Sequence, residues 1–154
     1  MKEINNRLQT NVKLPLSKQT VINIFMSNIW VKNDLLSVLK PHDLSLEQFN
    51  VLRILRGQKG QPINLQDVQE RMVYKMSNTT RLVDKLILKG YVKRNQCKEN
   101  RRKIEIYITS NGLNILKKLD TKIDKTEQHI TSNLSEIELE QLNKLLIKLK
   151  QNTT

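Results

Sequence analysis

Apolar residues recur at helical spacing over most of this chain and alternate as in a β-strand at only one place. The region from 75 to 109 contains both patterns. A helical stripe comes first, formed by Leu82, Val83, Leu86 and Ile87. A strand-like alternation follows, formed by Ile104, Ile106 and Ile108. Gly90 lies between the two and can end the helix in a left-handed conformation, so a helix over 77–89, two strands and a polar hairpin turn are predicted.

A long amphipathic segment precedes this region. Pro15 and Pro41 lie at its two ends, so we predict a helix that is capped by Ser17 and ends near Lys40. Its apolar positions are Val21, Ile24, Phe25, Ile29, Leu35, Leu36 and Leu39. Residues 1–16 are more polar, and we interpret them as a short helix or an arm that orders against a partner.

Two shorter helices are predicted from capping signals. Ser45 and Gln48 have the spacing of a capping box, and Gly57 can close the helix that they begin. Asn64 can cap a second helix over 64–71. Hydrophobic staples are expected at both helix starts, from Leu44 with Phe49 and from Ile63 with Val68. Because the helix over 77–89 follows after a short connection, the pair predicts a helix-turn-helix, to which the two strands add a wing.

The C-terminal third of the chain predicts two more helices. Thr109 or Ser110 can cap the first, and Ser135 with Glu138 repeats the capping-box spacing for the second. Their apolar positions follow a heptad-like spacing at Leu116, Leu119, Ile123, Ile130, Leu139, Leu142, Leu146 and Leu149. These faces could pack on the long first helix of the same chain or against a second subunit. We favour the second subunit, because the terminal segments otherwise lack a core to join.

Positive charge is concentrated in the predicted helix-and-hairpin region. Residues 71–103 contain eleven Lys or Arg residues and two acidic residues, a net charge of +9 within the chain's total of +12. A charged segment is often only a solvated face. Here the charge is confined to one helix and one hairpin, which favours binding of a polyanion. The small polar side chains at 77–80 suit both a helix start and contacts with base edges or phosphates.

The sequence lacks the residue sets that most enzymes use. Its one cysteine, Cys97, and two separated histidines, His42 and His129, form no nucleophile–base set and have no metal-ligand spacing. We expect no enzymatic activity, no metal and no cofactor. A single cysteine fits a reducing compartment, MKEINNRLQTNV lacks the apolar core of a signal peptide, and no stretch is apolar enough to span a membrane. A cytoplasmic location is therefore expected.

From about Ser17 onwards, the chain resembles the MarR family of winged helix-turn-helix transcription regulators. The resemblance is carried by LSLEQFNVLRIL (44–55), SNTTRLVDKLILKGYVKR (77–94) and ENRRKIEIYITSNG (99–112). It implies a mainly α fold with a small β wing (α+β). Residues 1–43 would form an N-terminal arm and long helix, 44–110 the DNA-binding lobe, and 111–154 the C-terminal dimerisation helices. The first and the last two helices would form the base of a homodimer.

The resemblance also implies roles for individual residues. In the recognition helix, Ser77, Asn78, Thr80 and Arg81 would contact bases or phosphates, and Lys75 and Lys85 would contact phosphates. In the wing, Arg102 would enter a minor groove, while Lys98 and Arg101 would contact phosphates. Two subunits imply a palindromic operator with half-sites about one helical turn apart. The wing differs from the family pattern at Asn100, where the family has Asp, and Thr79 replaces a residue that is usually aliphatic.

The resemblance also carries an expectation about regulation. The resemblance implies a repressor that releases double-stranded DNA when a small aromatic or anionic effector binds. The candidate pocket residues are Trp30, Asn33, His42 and Phe49. The thiol of Cys97, beside Lys93, Arg94 and Lys98, could instead be modifiable. An alternative function is a winged-helix module that binds only proteins, and salt-dependent duplex binding separates that function from a DNA-binding regulator.

Overall fold

The computed structural model describes residues 14–73, 78–96 and 104–151. These residues form six α-helices and one pair of antiparallel strands, which confirms the expected mainly α fold with a small β wing. The elements are α1 (Leu16–Leu39), a 3₁₀ turn (Lys40–His42), α2 (Leu46–Gly57), α3 (Leu65–Arg71), α4 (Thr79–Leu88), β1 (Val92–Gln96), β2 (Ile104–Ile108), α5 (Ser110–Thr131) and α6 (Glu136–Lys150). The chain divides into two units, 1–34 and 35–154. None of the described helices combines the length and apolarity needed to cross a membrane.

The predicted caps of α2 and α3 are confirmed. The Ser45 side-chain oxygen accepts from the backbone N–H of Gln48, and the Gln48 side-chain oxygen accepts from the backbone N–H of Ser45, each at 3.1 Å. At α3, the side-chain oxygen of Asn64 accepts from the backbone N–H of Asp67 at 2.8 Å. The staple residues Leu44, Phe49, Ile63 and Val68 are all buried. These local signals were predictable because the bonding partners lie three residues apart in the chain.

Two predicted helix starts are wrong. Ser17 lies inside α1 and does not cap it, because the backbone N–H of Gln19 donates to the carbonyl of Pro15 and the Gln19 side chain donates to the carbonyl of Leu14. The helix therefore begins one residue earlier than the cap that the sequence offered. The helix expected over 77–89 is observed as Thr79–Leu88, with Asn78 as its N-cap.

The core of the second unit is organised around α2. This helix contacts α3, α4, α5 and β2. The fully buried side chains are Leu39, Val51, Leu52, Val68, Leu86, Ile106, Leu116 and Leu119. Burying a Leu, Ile or Val side chain contributes roughly 1.5–3 kcal/mol relative to leaving it in water, so this cluster fixes how the lobe's elements pack. Helices α3 and α4 and strand β2 are therefore mounted on one shared core.

The wing is joined to this core at both of its strands. In the antiparallel register, Val92 pairs with Ile108 and Gln96 with Ile104. The backbone of Ile63 exchanges two hydrogen bonds with Ile106, of 3.2 and 2.9 Å, so the segment before α3 extends the sheet. Ile106 is buried and Ile108 packs against the core, whereas Ile104 is 48% exposed, so the half-buried face predicted for this strand does not extend to its first residue.

The junction between the wing and α5 is tightly packed. The Thr109 side chain accepts from the backbone N–H of Gly112 at 3.1 Å and donates to the carbonyl of Gly90 at 2.7 Å. A Cβ atom added at Gly112 would lie 2.3 Å from the carbonyl oxygen of Tyr91, a separation that real Cβ atoms do not reach. Gly90 has a φ of +70°, as its predicted role in ending α4 requires.

The two C-terminal helices pack differently. Ile115, Leu116, Leu119 and Ile123 of α5 are buried within the single chain, where α5 contacts α2. Our reason for assigning both helices to a second subunit was therefore wrong for the first half of α5, which joins the core of the lobe. By contrast, α6 has no buried residue along its described length, and Leu145 remains 64% exposed.

Candidate nucleic-acid interface

Helix α4 separates a buried apolar face from an exposed polar face. Val83 and Leu86 lie in the core, and Thr79 is also buried at the first turn. Thr80, Arg81 and Lys85 are exposed. This arrangement holds the helix by one side while the other side offers hydroxyl, guanidinium and ammonium donors to solvent, as contacts with a DNA groove require.

The start of α4 is fixed by its cap. The Asn78 side-chain oxygen accepts from the backbone N–H of Arg81 at 3.0 Å, which satisfies one of the free donors of the first turn. A depression of about 350 Å³ lies beside this cap. Its lining residues are Glu47, Asn78, Arg81, Leu82 and Lys85. The structure thus brings together three of the predicted contact residues, Asn78, Arg81 and Lys85, at one surface.

Several cations of the basic region interact with other side chains of the same chain. An Arg94 guanidinium nitrogen lies 3.0 Å from a carboxylate oxygen of Asp84, which ties β1 to α4. The Lys93 ammonium lies 5.4 Å from the centre of the Tyr107 ring, and the Tyr107 hydroxyl donates to Glu105 at 2.7 Å. Part of the positive charge counted in the sequence is therefore engaged in holding the wing in place.

A third cation, Lys89, joins the end of α4 to the turn that follows α1. Its ammonium donates to a carboxylate oxygen of Asp43 at 2.7 Å and also to the Asp43 backbone carbonyl. This hydrogen bond, together with the positive charges of Lys89 and Lys85, lowers the pKa of the Asp43 carboxyl from its ordinary value. Asp43 ends the 3₁₀ turn, and its backbone is in the left-handed conformation with a φ of +51°.

A cleft of about 550 Å³ surrounds the Asp43–Lys89 pair. Its lining residues are Leu36, Lys40, Asp43, Leu44, Ser45, Gln48, Leu82, Lys85, Leu88 and Lys89. Three ammonium groups and one carboxylate therefore share a concave site that also has an apolar wall. Leu88, which belongs to this wall, is 87% exposed.

Other predicted site residues are placed as follows. Lys75, Ser77, Lys98, Arg101 and Arg102 lie outside the described residues, as does Cys97. Of the four suggested pocket residues, Trp30 and Asn33 are exposed on α1, and His42 is half-buried in the 3₁₀ turn. Phe49 is a core residue whose ring lies 5.8 Å from the Arg53 guanidinium.

The cleft was not predicted from the sequence, and none of the four suggested residues lines it. Lys85 was assigned only a phosphate contact, and Lys40, Asp43 and Lys89 were assigned no role. Asp43 and Lys89 are 46 positions apart, so no spacing rule links them. The turn at Pro41 was the only local signal that the chain changes direction there.

Comparison with known proteins agrees with this geometry. The sequence model described as "MarR family" matches residues 44–104, which run from the start of α2 to the first residue of β2. The chain is 35% identical over 80 residues to YfiV of Bacillus subtilis (strain 168), an uncharacterized HTH-type transcriptional regulator. This match covers 52% of the chain and 49% of the relative, so the chain spans about half of that relative's length.

Two further similarities extend over more of the chain. It is 31% identical over 100 residues to the HTH-type transcriptional regulator SarZ of Staphylococcus haemolyticus (strain JCSC1435), covering 65% of the chain and 67% of SarZ. A cysteine-to-serine variant of MarR from Escherichia coli, solved in complex with operator DNA, superposes with a TM-score of 0.76 at 25% identity, over 89% of this chain and 99% of that one. The chain therefore belongs to the MarR family of winged helix-turn-helix transcription regulators, which are DNA-binding proteins and not enzymes.

Proposed function

We propose that this regulator is a homodimeric repressor that binds a palindromic operator and releases it when a small anionic effector binds. In each subunit, α4 would enter a major groove through Asn78, Thr80 and Arg81, with Lys85 on a phosphate. Lys75 and Ser77 would extend this contact. The wing would reach a flanking minor groove with Arg102, and Lys98 and Arg101 would contact phosphates. The E. coli relative in complex with operator DNA supports DNA as the partner.

This proposal rests on a difference among the cations of one surface, some of which form ion pairs and some of which do not. Lys89 and Arg94 form ion pairs with Asp43 and Asp84. Among the described residues, Arg81 and Lys85 form no ion pair and their side chains are exposed beside the Asn78 cap. Unpaired cations next to a helix start are positioned to bind a phosphate backbone and base edges.

The test is fluorescence anisotropy against duplexes tiled across the region upstream of the protein's own gene, at several salt concentrations. We expect tight binding to one palindromic duplex with two subunits per site. The variant Arg81→Ala/Lys85→Ala should lose about 100-fold in affinity and show a flatter salt dependence. Lys117→Ala/Lys118→Ala removes the same charge from exposed positions on α5 and should change affinity less than threefold.

The wing requires its own variant. Arg101→Ala/Arg102→Ala should weaken operator binding and flatten its salt dependence, because an inserted arginine is attracted by a narrow minor groove. Unchanged affinity would remove the wing from the mechanism. Absence of binding to any duplex at low salt would overturn the DNA-binding role of this chain and leave a protein-interaction module.

The homodimer is proposed from the exposed apolar faces at both ends of the chain. On α6, Ile137, Leu145, Ile147 and Leu149 are each more than half exposed, and on α1 Phe25 and Ile29 are similarly exposed. Apolar surface of this extent usually marks an interface. We propose that residues 1–43 and 111–154 supply this interface and that 44–110 forms the DNA-binding lobe, to which the first half of α5 adds core residues.

The effector site is proposed to be the cleft around Lys89. A carboxylate of an aromatic acid could pair with Lys40, Lys85 or Lys89 while its ring contacts Leu88. It would compete with the DNA phosphates for Lys85 and with Asp43 for Lys89. Benzoate and salicylate are suitable probes, and each should raise the Tm and release the operator. Lys40→Gln should weaken this response, whereas Lys59→Gln, an exposed change in the α2–α3 loop, should not. If neither probe alters Tm or anisotropy, the cleft is not an aromatic-acid site.

The sign of regulation is tested by a reporter gene behind the bound promoter region. A repressor predicts higher expression when the regulator's gene is deleted, and a further rise in wild-type cells when an active probe is added. Lower expression on deletion would identify an activator.

A further inference from the structure

No helix-breaking residue in the connection between α3 and α4 explains why α3 ends where it does. Residues 72–77 are Met, Val, Tyr, Lys, Met and Ser, with no glycine or proline among them. Even so, α3 ends at Arg71, and Met72 has extended backbone angles, with φ of −66° and ψ of 136°. Contacts from elsewhere in the fold must therefore determine where the chain leaves α3.

Two such contacts are present in the described part of the connection. The Met72 side chain is buried, with 3% of its surface exposed. The backbone N–H of Val73 donates to the side-chain oxygen of Asn50, on α2, at 3.0 Å. The Val73 side chain is 76% exposed, so burial does not hold this residue in place. The Asn50 hydrogen bond is thus the contact that fixes the chain at Val73.

We propose that Asn50 is a positioning residue for DNA recognition, acting through the backbone of Val73 on the placement of α4. Val73 lies five residues before Asn78, the cap from which Thr80 and Arg81 are presented. Without the acceptor on α2, α3 could extend past Arg71, and each added helical residue turns the chain by about 100°. The start of α4 would then be set relative to α2 only by its buried side chains, Thr79 and Val83.

Positioning has a different effect on specific and on non-specific binding. Contacts with base edges need donors in a fixed geometry, so disorder in the connection must be lost when the operator binds. Phosphate attraction depends mainly on net charge and tolerates a displaced helix. Loss of the Asn50 acceptor should therefore lower the preference for the operator over a scrambled duplex and leave scrambled binding nearly unchanged.

The test compares Asn50→Leu, which cannot accept a hydrogen bond, with Gln61→Leu, a similar amide-to-leucine change at an exposed position in the α2–α3 loop. We expect Asn50→Leu to speed amide exchange at Val73 by about tenfold and to weaken operator binding by about tenfold. Scrambled-duplex binding should stay within about twofold, since it reads charge alone. Gln61→Leu should change none of these quantities.

Asn50→Asp provides a rescue, because a carboxylate still accepts from the Val73 N–H. Its added negative charge should weaken operator and scrambled binding alike, so the preference for the operator and the slow exchange at Val73 are kept. A merely structural role predicts instead that Asn50→Leu lowers both affinities together with the Tm. That result, or unchanged exchange at Val73, would overturn the proposal.

The inference rests on the proposed DNA-binding function, and the two can fail separately. A wild-type protein that does not distinguish operator from scrambled duplex overturns the proposed function and the role of Asn50 with it. A wild-type protein that does distinguish them, together with an Asn50→Leu variant that keeps the full preference, overturns the positioning role alone.

Discussion

The two C-terminal helices have similar sequence patterns and different surroundings. Both begin with a side-chain cap, and both space apolar residues as a heptad does. In α5, Leu116 and Leu119 are fully buried by the lobe. In α6, no residue is buried along the described helix, and its leucines face outwards from the single chain.

This difference shows that amphipathic spacing specifies a buried face but not its partner. The first half of α5 packs on α2, and Thr109 and Gly112 hold its start against the wing. At the start of α6, the side chains of Ser135 and Glu138 bond to each other, and neither is hydrogen-bonded to another element of the described structure. A start that is fixed against the wing thus accompanies the buried face of α5, whereas the apolar face of α6 stays exposed in the single chain.

The largest expected effect is the loss of a buried leucine from α5. Leu119→Ala should lower the free energy of unfolding by about 2–5 kcal/mol, because it removes apolar contacts and leaves a cavity in a closely packed core. Leu113→Ala is the matched control, since the same atoms are removed from a side chain that is 43% exposed. Urea unfolding monitored by circular dichroism measures both variants.

If α5 is buried within a single chain, the loss of stability in Leu119→Ala should not depend on dimerisation. The stability difference between Leu119→Ala and Leu113→Ala should persist when the protein concentration is varied 100-fold, apart from any common shift from dimer dissociation. Equal destabilisation by both substitutions would show that Leu119 does not occupy a packed core.

Charged residues in the exposed face of α6 should affect assembly and leave the lobe folded. Leu142→Glu/Leu146→Glu places two carboxylates on the apolar stripe and should weaken the proposed dimer by at least about 100-fold. Gln141→Glu/Gln151→Glu adds the same charge at one position on the polar side of α6 and at its C-cap, and should leave the proposed dimer intact. Analytical ultracentrifugation measures the association. A Leu142→Glu/Leu146→Glu protein that remains dimeric would place the interface elsewhere.

Sequence alone predicted the features whose partners lie close together in the chain. The caps formed by Ser45, Asn64 and Ser135 each bond within three residues, and these predictions are confirmed. Ser17 shows the limit of such signals. Its residue type can cap a helix, but the first helical hydrogen bond of α1 is accepted by the carbonyl of Pro15, so the helix begins before Ser17. The fold class followed from this local pattern together with the resemblance to a family.

Contacts between distant residues account for what the sequence did not reveal. Asp43 and Lys89 are 46 positions apart, and Asn50 and Val73 are 23 apart, so no periodicity links either pair. Charge counting located the basic surface but could not separate Arg94, which pairs with Asp84, from Arg81. That distinction depends on the folded backbone, which brings each acid to its cation.

A smaller effect on stability is expected from the ion pairs that α5 and α6 form. Arg56 on α2 contacts both carboxylate oxygens of Asp120 on α5 at 2.9 and 2.8 Å, with both side chains more than a third exposed. A double-mutant cycle should give a coupling below about 1 kcal/mol, because solvent screens the pair. Lys144 and Glu140 lie 3.7 Å apart within α6 and should couple more weakly still, at about 0.3–0.5 kcal/mol. A stronger coupling in α6 would contradict the view that α5 is the helix tied to the lobe.

The smallest effect is a pH dependence confined to α6. Glu138 accepts from the backbone N–H and the hydroxyl of Ser135, which lowers the pKa of its carboxyl from the ordinary value. A lowered pKa in the folded state means that the stabilisation is complete above the ordinary pKa and is lost as the pH falls through the lowered value. Amide exchange at the start of α6 should therefore become less protected, relative to α5, as the pH falls from about 6 to about 3. The α5 cap, Thr109, does not titrate, and Glu138→Gln keeps an acceptor for the Ser135 N–H without a titrating group. In that variant the two helix starts should respond alike to acid, and a fraying of α6 that persists there would assign the effect to another group.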